Sequence, residues 1–240
     1  MKHFLNQYFD KIYCINLITR PDRKKFAQKQ FKELGLKVEF YEAFPYDFSS
    51  KIIDTLNKEK IWYFNKPNEF GCFMSHYNIL KKSYIKGYEK ILILEDDICF
   101  HKNFNEEIKK YIYNIPLNWE VMRLYGICLT DKLEGIKSNE YWGNYYNTWS
   151  TLCYGINRKG MKYLLHIFDE YPCIADLPFY KSKYKYIYTS HIPLCIANKN
   201  STSDIQNTEN NLLEFSDSNL YIKNIDLNNY FSEDDLKIKK

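Results

Sequence analysis

An α/β fold, with a mostly parallel central sheet flanked by helices, is what this sequence predicts, and three observations predict it. Ile91–Leu94 is a run of four apolar residues leading straight into Glu95-Asp96-Asp97, the pattern of a central strand buried on both faces. Strand-like runs alternate with segments whose apolar residues recur at three- and four-residue spacing. The 240 residues, 45% apolar and 27% charged, are enough for one domain of this kind, alone or with a small appendage.

In chain order, Lys11–Leu17 is rich in strand formers and is followed by the polar Thr19-Arg20-Pro21-Asp22-Arg23. Pro21 suits a first helical turn and Asp22 its positive end. Phe26, Gln30, Phe31 and Leu34 fall at helical spacing, and Gly35 stops that helix. Lys37–Phe44 reads as a second strand. Residues 45–68, with a short helix expected over Ser50–Lys60 and the aromatic Trp62-Tyr63-Phe64, read as an excursion near the site. Phe73, Tyr77, Leu80 and Tyr84 define a second helix that Gly87 ends. After the Ile91–Leu94 strand come a helix from Asn103 to Tyr113 and a strand around Glu120–Tyr125. Gly126–Tyr146 is polar and turn-rich, and is expected to be a substrate-facing loop or insertion. Thr151–Ile156 is strand-like, Asn157 caps a helix over Arg158–Glu170 bearing Met161, Leu164, Leu165 and Phe168, and Tyr184–Thr189 is a further strand. Residues 1–205 read as the main domain, and 206–240 as an acidic, Asn-rich extension that is either packed or partly disordered.

Composition narrows the function classes. The 23 Tyr and 16 Phe stand against 8 Gly, and most of these aromatics belong to the core. Net charge is +4, but residues 204–240 hold 8 acidic and 4 basic side chains, so the preceding part carries about +8. Such an excess attracts nucleotides, phosphorylated glycans or a membrane surface. The sequence has no zinc finger, RNA-binding signature or compact basic helix, and no nucleic-acid partner is expected. Cysteines 14, 72, 99, 128, 153, 173 and 195 are odd in number and form no CxxC pair, as expected for buried thiols in a reducing compartment. With no signal-peptide pattern and no run of 18 apolar residues, the expectation is a cytoplasmic protein whose membrane contact, if any, is peripheral. Oligomeric state is open.

The chemistry gathers at Glu95, Asp96 and Asp97. Adjacent carboxylates at the end of a buried strand repel unless a cation or donors offset them. Oxygen ligands select Mg, Mn or Ca over zinc, with nucleotide phosphates completing the shell. If the strand continues through the acids, Glu95 and Asp97 point one way and Asp96 the other, making Asp97 the stronger metal ligand and Asp96 a partner for ribose or sugar hydroxyls. A solvated loop of capping acids is the alternative. Arginine forks at Arg20 and Arg23 suit phosphate, as does Arg158 at its helix start; each is equally an ordinary basic surface residue. His76 reads as either a structural histidine or a donor to phosphate or acceptor.

Several segments, in this order, resemble glycosyltransferase family 25: YCINLITRPDR (Tyr13–Arg23), GCFMSHYNIL (Gly71–Leu80), ILILEDDICF (Ile91–Phe100), CYGINRKGMKYLL (Cys153–Leu165), Ala175-Asp176 and Ser203-Asp204-Ile205. The resemblance covers roughly residues 10–205. It implies a GT-A-like nucleotide-diphosphosugar transferase fold, a UDP-sugar donor with galactose favoured, a divalent cation (Mn²⁺ or Mg²⁺) and inversion at the anomeric carbon. The implied acceptor is a glycan hydroxyl in lipooligosaccharide or surface polysaccharide synthesis, with a hydroxylysine or protein acceptor, or an inactive nucleotide-sugar-binding module, as alternatives. Carried onto this chain, donor binding falls to Asn16, Leu17, Arg20, Arg23, Ser75, Asp96 and Arg158, and metal binding to Asp97, Glu95, Asp204 and His191. Catalysis falls to Asp176 as base, Glu95 as second choice, and His76. Pro45-Tyr46-Asp47 departs from the Asp-Gly expected there. A nucleotidyltransferase would want a Gly-rich phosphate loop and a dinucleotide oxidoreductase a GxGxxG after the first strand, and the sequence has neither.

Overall fold

Alternation along Ile91–Leu94 sends Leu92 and Leu94 to one face of a sheet and Ile91 and Ile93 to the other, and all four are fully buried. Both faces must therefore be covered, and helices cover them. The computed structural model describes residues 2–45, 64, 66–128, 133–180, 184–198, 226–232 and 234–236. Along the chain these form α1 (Phe4–Tyr8), β1 (Lys11–Asn16), α2 (Pro21–Leu34), β2 (Glu39–Glu42), α3 (Pro67–Ile85), β3 (Lys90–Glu95), β4 (Ile98–Phe100), α4 (Phe104–Tyr113), β5 (Val121–Arg123), β6 (Ile127–Cys128), β7 (Gly135–Lys137), β8 (Trp142–Tyr145), β9 (Thr148–Trp149), β10 (Cys153–Asn157), α5 (Arg158–Glu170), β11 (Ile187–Ser190) and β12 (Cys195–Ala197).

The main sheet has the order β2-β1-β3-β10-β5-β11-β8-β7. All but β10 and β8 run in one direction, so the sheet is mostly parallel, with β10 inserted antiparallel between β3 and β5. Helices α2 and α4 cover the Leu92 face, burying Phe26, Phe31, Phe104 and Ile108. On the Ile93 face lie α3 and α5, where Phe73 meets Phe168 edge-on at 5.1 Å. Each such side chain contributes roughly 1.5–3 kcal/mol by leaving water. Among the described residues no helix is long and apolar enough to cross a membrane.

Several elements differ from expectation. The helix carrying Phe73 starts at Pro67, with Glu69 accepting from the Lys66 amide, so Ser75 and His76 sit in its middle rather than near its start. Gly126–Tyr146 is not simply a loop: it contributes β6, β7 and β8, two of them at the edge of the main sheet. Strands this short, broken by Gly and Asn, carry little periodic signal. Gln30 is the informative exception in the stripe of α2. Fully buried, it donates from Nε2 to Ile98 O at 2.7 Å and accepts from the Phe100 amide at 2.9 Å, standing in for a neighbouring strand along β4. The other edge of β4 pairs with β12. Part of the C-terminal extension docks here too: Phe231 N donates to Phe100 O, Lys102 N donates to Asn229 O, and the Tyr230 hydroxyl donates to Pro193 O. The helix expected over Ser50–Lys60, with Trp62 and Tyr63, lies outside the described residues.

Candidate active site

Because β1, β3 and β5 run in the same direction, Asn16, Glu95 and Arg123 all finish at one edge of the sheet. The antiparallel β10 starts there, so the loop before it, residues 148–152, arrives where the carboxylates leave; Glu95 N donates to Leu152 O at 2.9 Å. Open α/β sheets place their ligands outside the C-terminal ends of the strands, and a solvent-open cleft of about 120 Å³ lies here. Its walls include Leu17, Arg23, Phe44, Ser75, His76 and the three acids.

The acids do not alternate as a continued strand would. β3 ends at Glu95 and the chain turns through Asp96-Asp97 into β4, so each carboxylate meets different partners. Asp96 is buried, and both its oxygens are engaged within the protein: Oδ2 accepts from Asn16 Nδ2 at 2.6 Å and Oδ1 from Arg23 Nη1 at 3.2 Å. Burial pushes its pKa up against the opposing pull of Arg23 and Asn16. Asp96 and Asn16 thus anchor the turn, and each carboxylate oxygen keeps further acceptor capacity. Asp97 Oδ2 lies farther from Arg23, at 4.0 Å, and its backbone carbonyl accepts from Asn198 N at 2.7 Å.

Glu95 faces α3. His76, 1% exposed, holds Nδ1 at 2.9 Å from the Tyr154 hydroxyl and Nε2 at 3.4 Å from Glu95 Oε1. The Thr151 hydroxyl donates to the same Oε1 at 2.5 Å. Burial raises the Glu95 pKa, but His76, Thr151 and Arg23 outweigh it and hold the carboxyl below its ordinary value. Asp176 behaves oppositely. Burial lifts it above the usual aspartate value of 3.8, while the Ser150 amide, donating to Oδ2 at 3.2 Å, and the charge of Arg123 only partly offset the rise. Glu95 is thereby suited to staying ionised, and Asp176 to exchanging a proton.

One residue outside the sequence-based set organises this loop. Arg123, fully buried at the end of β5, donates to Thr148 O at 3.1 Å, Thr148 Oγ1 at 2.7 Å, Ser150 O at 3.0 Å and, in a shorter contact, Trp149 O. Ser150 has φ of +97°, a conformation that costs a non-glycine residue about 1–3 kcal/mol. It is held there by Arg123 on its carbonyl, Asp176 on its amide and the Leu152 amide on its hydroxyl. The signal was available: an arginine amid Val121, Met122 and Leu124 is anomalous in a buried strand. Thr151 had no such signal, because its role depends on the antiparallel pairing of β10 with β3.

The other predicted residues divide between the cleft wall and places outside it. Arg158 begins α5 at the opposite edge of the sheet, since Asn157 pairs with Lys90 at the start of β3; there Arg158 donates to Tyr84 O at 3.0 Å and covers the Tyr84 ring. His191 follows β11, with Nδ1 at 2.9 Å from the Tyr145 hydroxyl and Nε2 at 2.8 Å from Asn139 O, so both ring nitrogens are taken up. Arg20 closes its fork on Asp22. The Ser75 hydroxyl donates to Gly71 O and accepts from the Phe44 amide, which makes it a brace for the cleft wall. Leu17 lines the cleft. Asp204 lies outside the described residues.

The donor set fits a divalent cation. Three carboxylates converge on one guanidinium and one histidine, an excess of negative charge that a cation bound at Asp97 would offset. Comparisons with known proteins bear on the family. A family profile described as Glycosyltransferase family 25 (LPS biosynthesis protein) matches residues 9–179. Procollagen galactosyltransferase 2 of Homo sapiens is 32% identical over 130 residues, 48% of this chain and 20% of that one. A glycosyltransferase 25 family member of Aedes aegypti is 33% identical over 129 residues, 47% and 21% of the two chains. An inactive glycosyltransferase 25 family member 3 of Homo sapiens is 25% identical over 173 residues, 65% and 29% of the two. The chain thus spans about a fifth of the length of the first two relatives. A solved glycosyltransferase involved in glycosylation of the major capsid of PBCV-1 superposes with a TM-score of 0.36 at 14% identity, over 68% of each chain.

Proposed function

The chain belongs to glycosyltransferase family 25, and from that premise we propose that it moves a hexose, galactose by preference, from a UDP-sugar to a glycan hydroxyl with inversion. The observation that carries this is the pairing at one sheet edge of the acidic Glu95-Asp96-Asp97 turn, where the Glu95 pKa is held below its ordinary value, with an aspartate, Asp176, whose proton affinity is raised. Asp176 takes the proton of the acceptor hydroxyl as that oxygen attacks the anomeric carbon. Arg23 and Asn16 fix the acidic turn so that Asp97 is presented to the diphosphate end of the donor, and His76 holds Glu95 ionised. Asp97 would hold Mn²⁺ or Mg²⁺, which would supply charge stabilisation to the departing phosphate. The cleft of about 120 Å³ holds a diphosphate and cation better than a whole nucleotide sugar, so the base and acceptor extend beyond it. A relative named for procollagen galactosyl transfer favours galactose and keeps a protein hydroxyl as the competing acceptor.

The test is UDP release from a panel of UDP-sugars with Mn²⁺, with Mg²⁺ and with chelator, in the wild type and in Asp97→Asn. The expected result is cation-dependent release from one sugar, reduced roughly 10²- to 10³-fold in the folded variant. Undiminished release in Asp97→Asn overturns the assignment. Cation-dependent donor binding without any release would instead favour an inactive binding module; one relative is named as an inactive member of the family.

A further inference from the structure

We propose that Cys72, His76 and Glu95 form a second cation site, for a thiophilic divalent ion of the zinc class, in the wall of the cleft beside Asp97. Cys72 and His76 are four residues apart on α3 and so project from one face of the helix. That face meets the end of β3, where Glu95 leaves the sheet. One ligand atom from each residue, the Cys72 sulfur, a His76 ring nitrogen and a Glu95 carboxylate oxygen, lies within 4.8 Å of the other two. A tetrahedral ion about 2.0–2.3 Å from its ligands holds them some 3.3–3.8 Å apart. His76 Nε2 and Glu95 Oε1, at 3.4 Å, already satisfy that spacing.

Two details distinguish the trio from polar groups that happen to be close. His76 is buried, its Nδ1 is fixed by the Tyr154 hydroxyl, and its Nε2 makes no hydrogen bond and faces Glu95. Glu95 is in turn held by the Thr151 hydroxyl. Histidines and carboxylates that bind metals are characteristically steadied by such outer partners. Ligand chemistry separates this site from the one at Asp97: a sulfur and an imidazole select zinc, whereas magnesium and manganese prefer carboxylate and phosphate oxygens. On binding, the Cys72 thiol gives its proton to solvent and a sulfur–metal bond replaces the sulfur–hydrogen bond. Three protein ligands leave the fourth position for water. An ion in this position occupies the Glu95 carboxylate and the His76 ring nitrogen where they line the cleft, so its occupancy opposes sugar transfer.

The test is titration of the full chain with Co²⁺, whose thiolate complexes absorb in the near ultraviolet. The expected result is a sulfur-to-cobalt band that zinc displaces. Cys72→Ala, a mild truncation, should abolish it, and His76→Gln should weaken cobalt binding at least about 10-fold. Asp97→Asn should retain the band while losing UDP release, so failure of the transfer reading and failure of this site are told apart. A folded wild type that shows no band at saturating Co²⁺, or a band that survives Cys72→Ala, overturns the site.

Discussion

As the proposed base, Asp176 would act only when ionised, and its burial resists ionisation; the Ser150 amide and the charge of Arg123 work against that resistance. The acidic limb of kcat/KM should therefore lie above the ordinary aspartate value of 3.8, with activity rising as pH climbs through it. Arg123→Met removes a positive charge and releases the loop that presents the Ser150 amide. Both losses raise Asp176 further, so the limb should move to higher pH. The orphaned carbonyls of residues 148–150 should also cost about 1–3 kcal/mol of stability each. A pH–rate profile of UDP-sugar hydrolysis checks this, and a limb that stays in place in a folded Arg123→Met protein would show that the two residues are not coupled.

Among the elements, the segment following the acids depends on a side chain as much as on a strand. Gln30 supplies one edge of β4 with a donor and an acceptor, and Gln30→Leu would leave Ile98 O and the Phe100 amide buried without them. A destabilisation of about 1–3 kcal/mol follows, measurable as a lower denaturant midpoint, and amide exchange at Phe100 should rise more than at Leu92. Gln30 also shows where sequence reading stops. Helical spacing placed it on the buried face of α2, but which backbone it would serve depended on a contact 68 residues away. The strand of Ile91–Leu94, the helix capped by Asn157 and the gathering of Glu95, Asp96 and Asp97 at the strand's end were legible because local pattern and charge specify them, whereas Asp176 was reached through the family resemblance. The direction of β10 was not. Antiparallel insertion carries Arg158 to the far edge and brings Thr151 to the near one, and no local periodicity encodes that choice.

For the molecule as a whole, the chain's last described turn is tied back to its middle. Asp235 binds Ser232 and Lys102, and these hold its carboxyl down at about 2. Because the folded value lies below the ordinary 3.8, the tether contributes fully above that pH and is lost as pH falls towards 2. Asp235 is partly exposed, so solvent screening keeps the contribution small. Amide exchange at Tyr230 and Phe231 should accelerate over that interval, and Asp235→Asn should reproduce the acceleration at neutral pH; unchanged exchange in the variant would dismiss the tether. The threading of β10 also has a consequence in time. The acids are made 56 residues before Thr151, an interval of roughly 3–11 seconds at about 5–20 residues per second. Through that interval the growing polypeptide carries its acidic turn with Arg23 and Asn16 already made but neither Arg123's loop nor Asp176, so birth order withholds the proposed base from the proposed transfer until long after the acids have emerged.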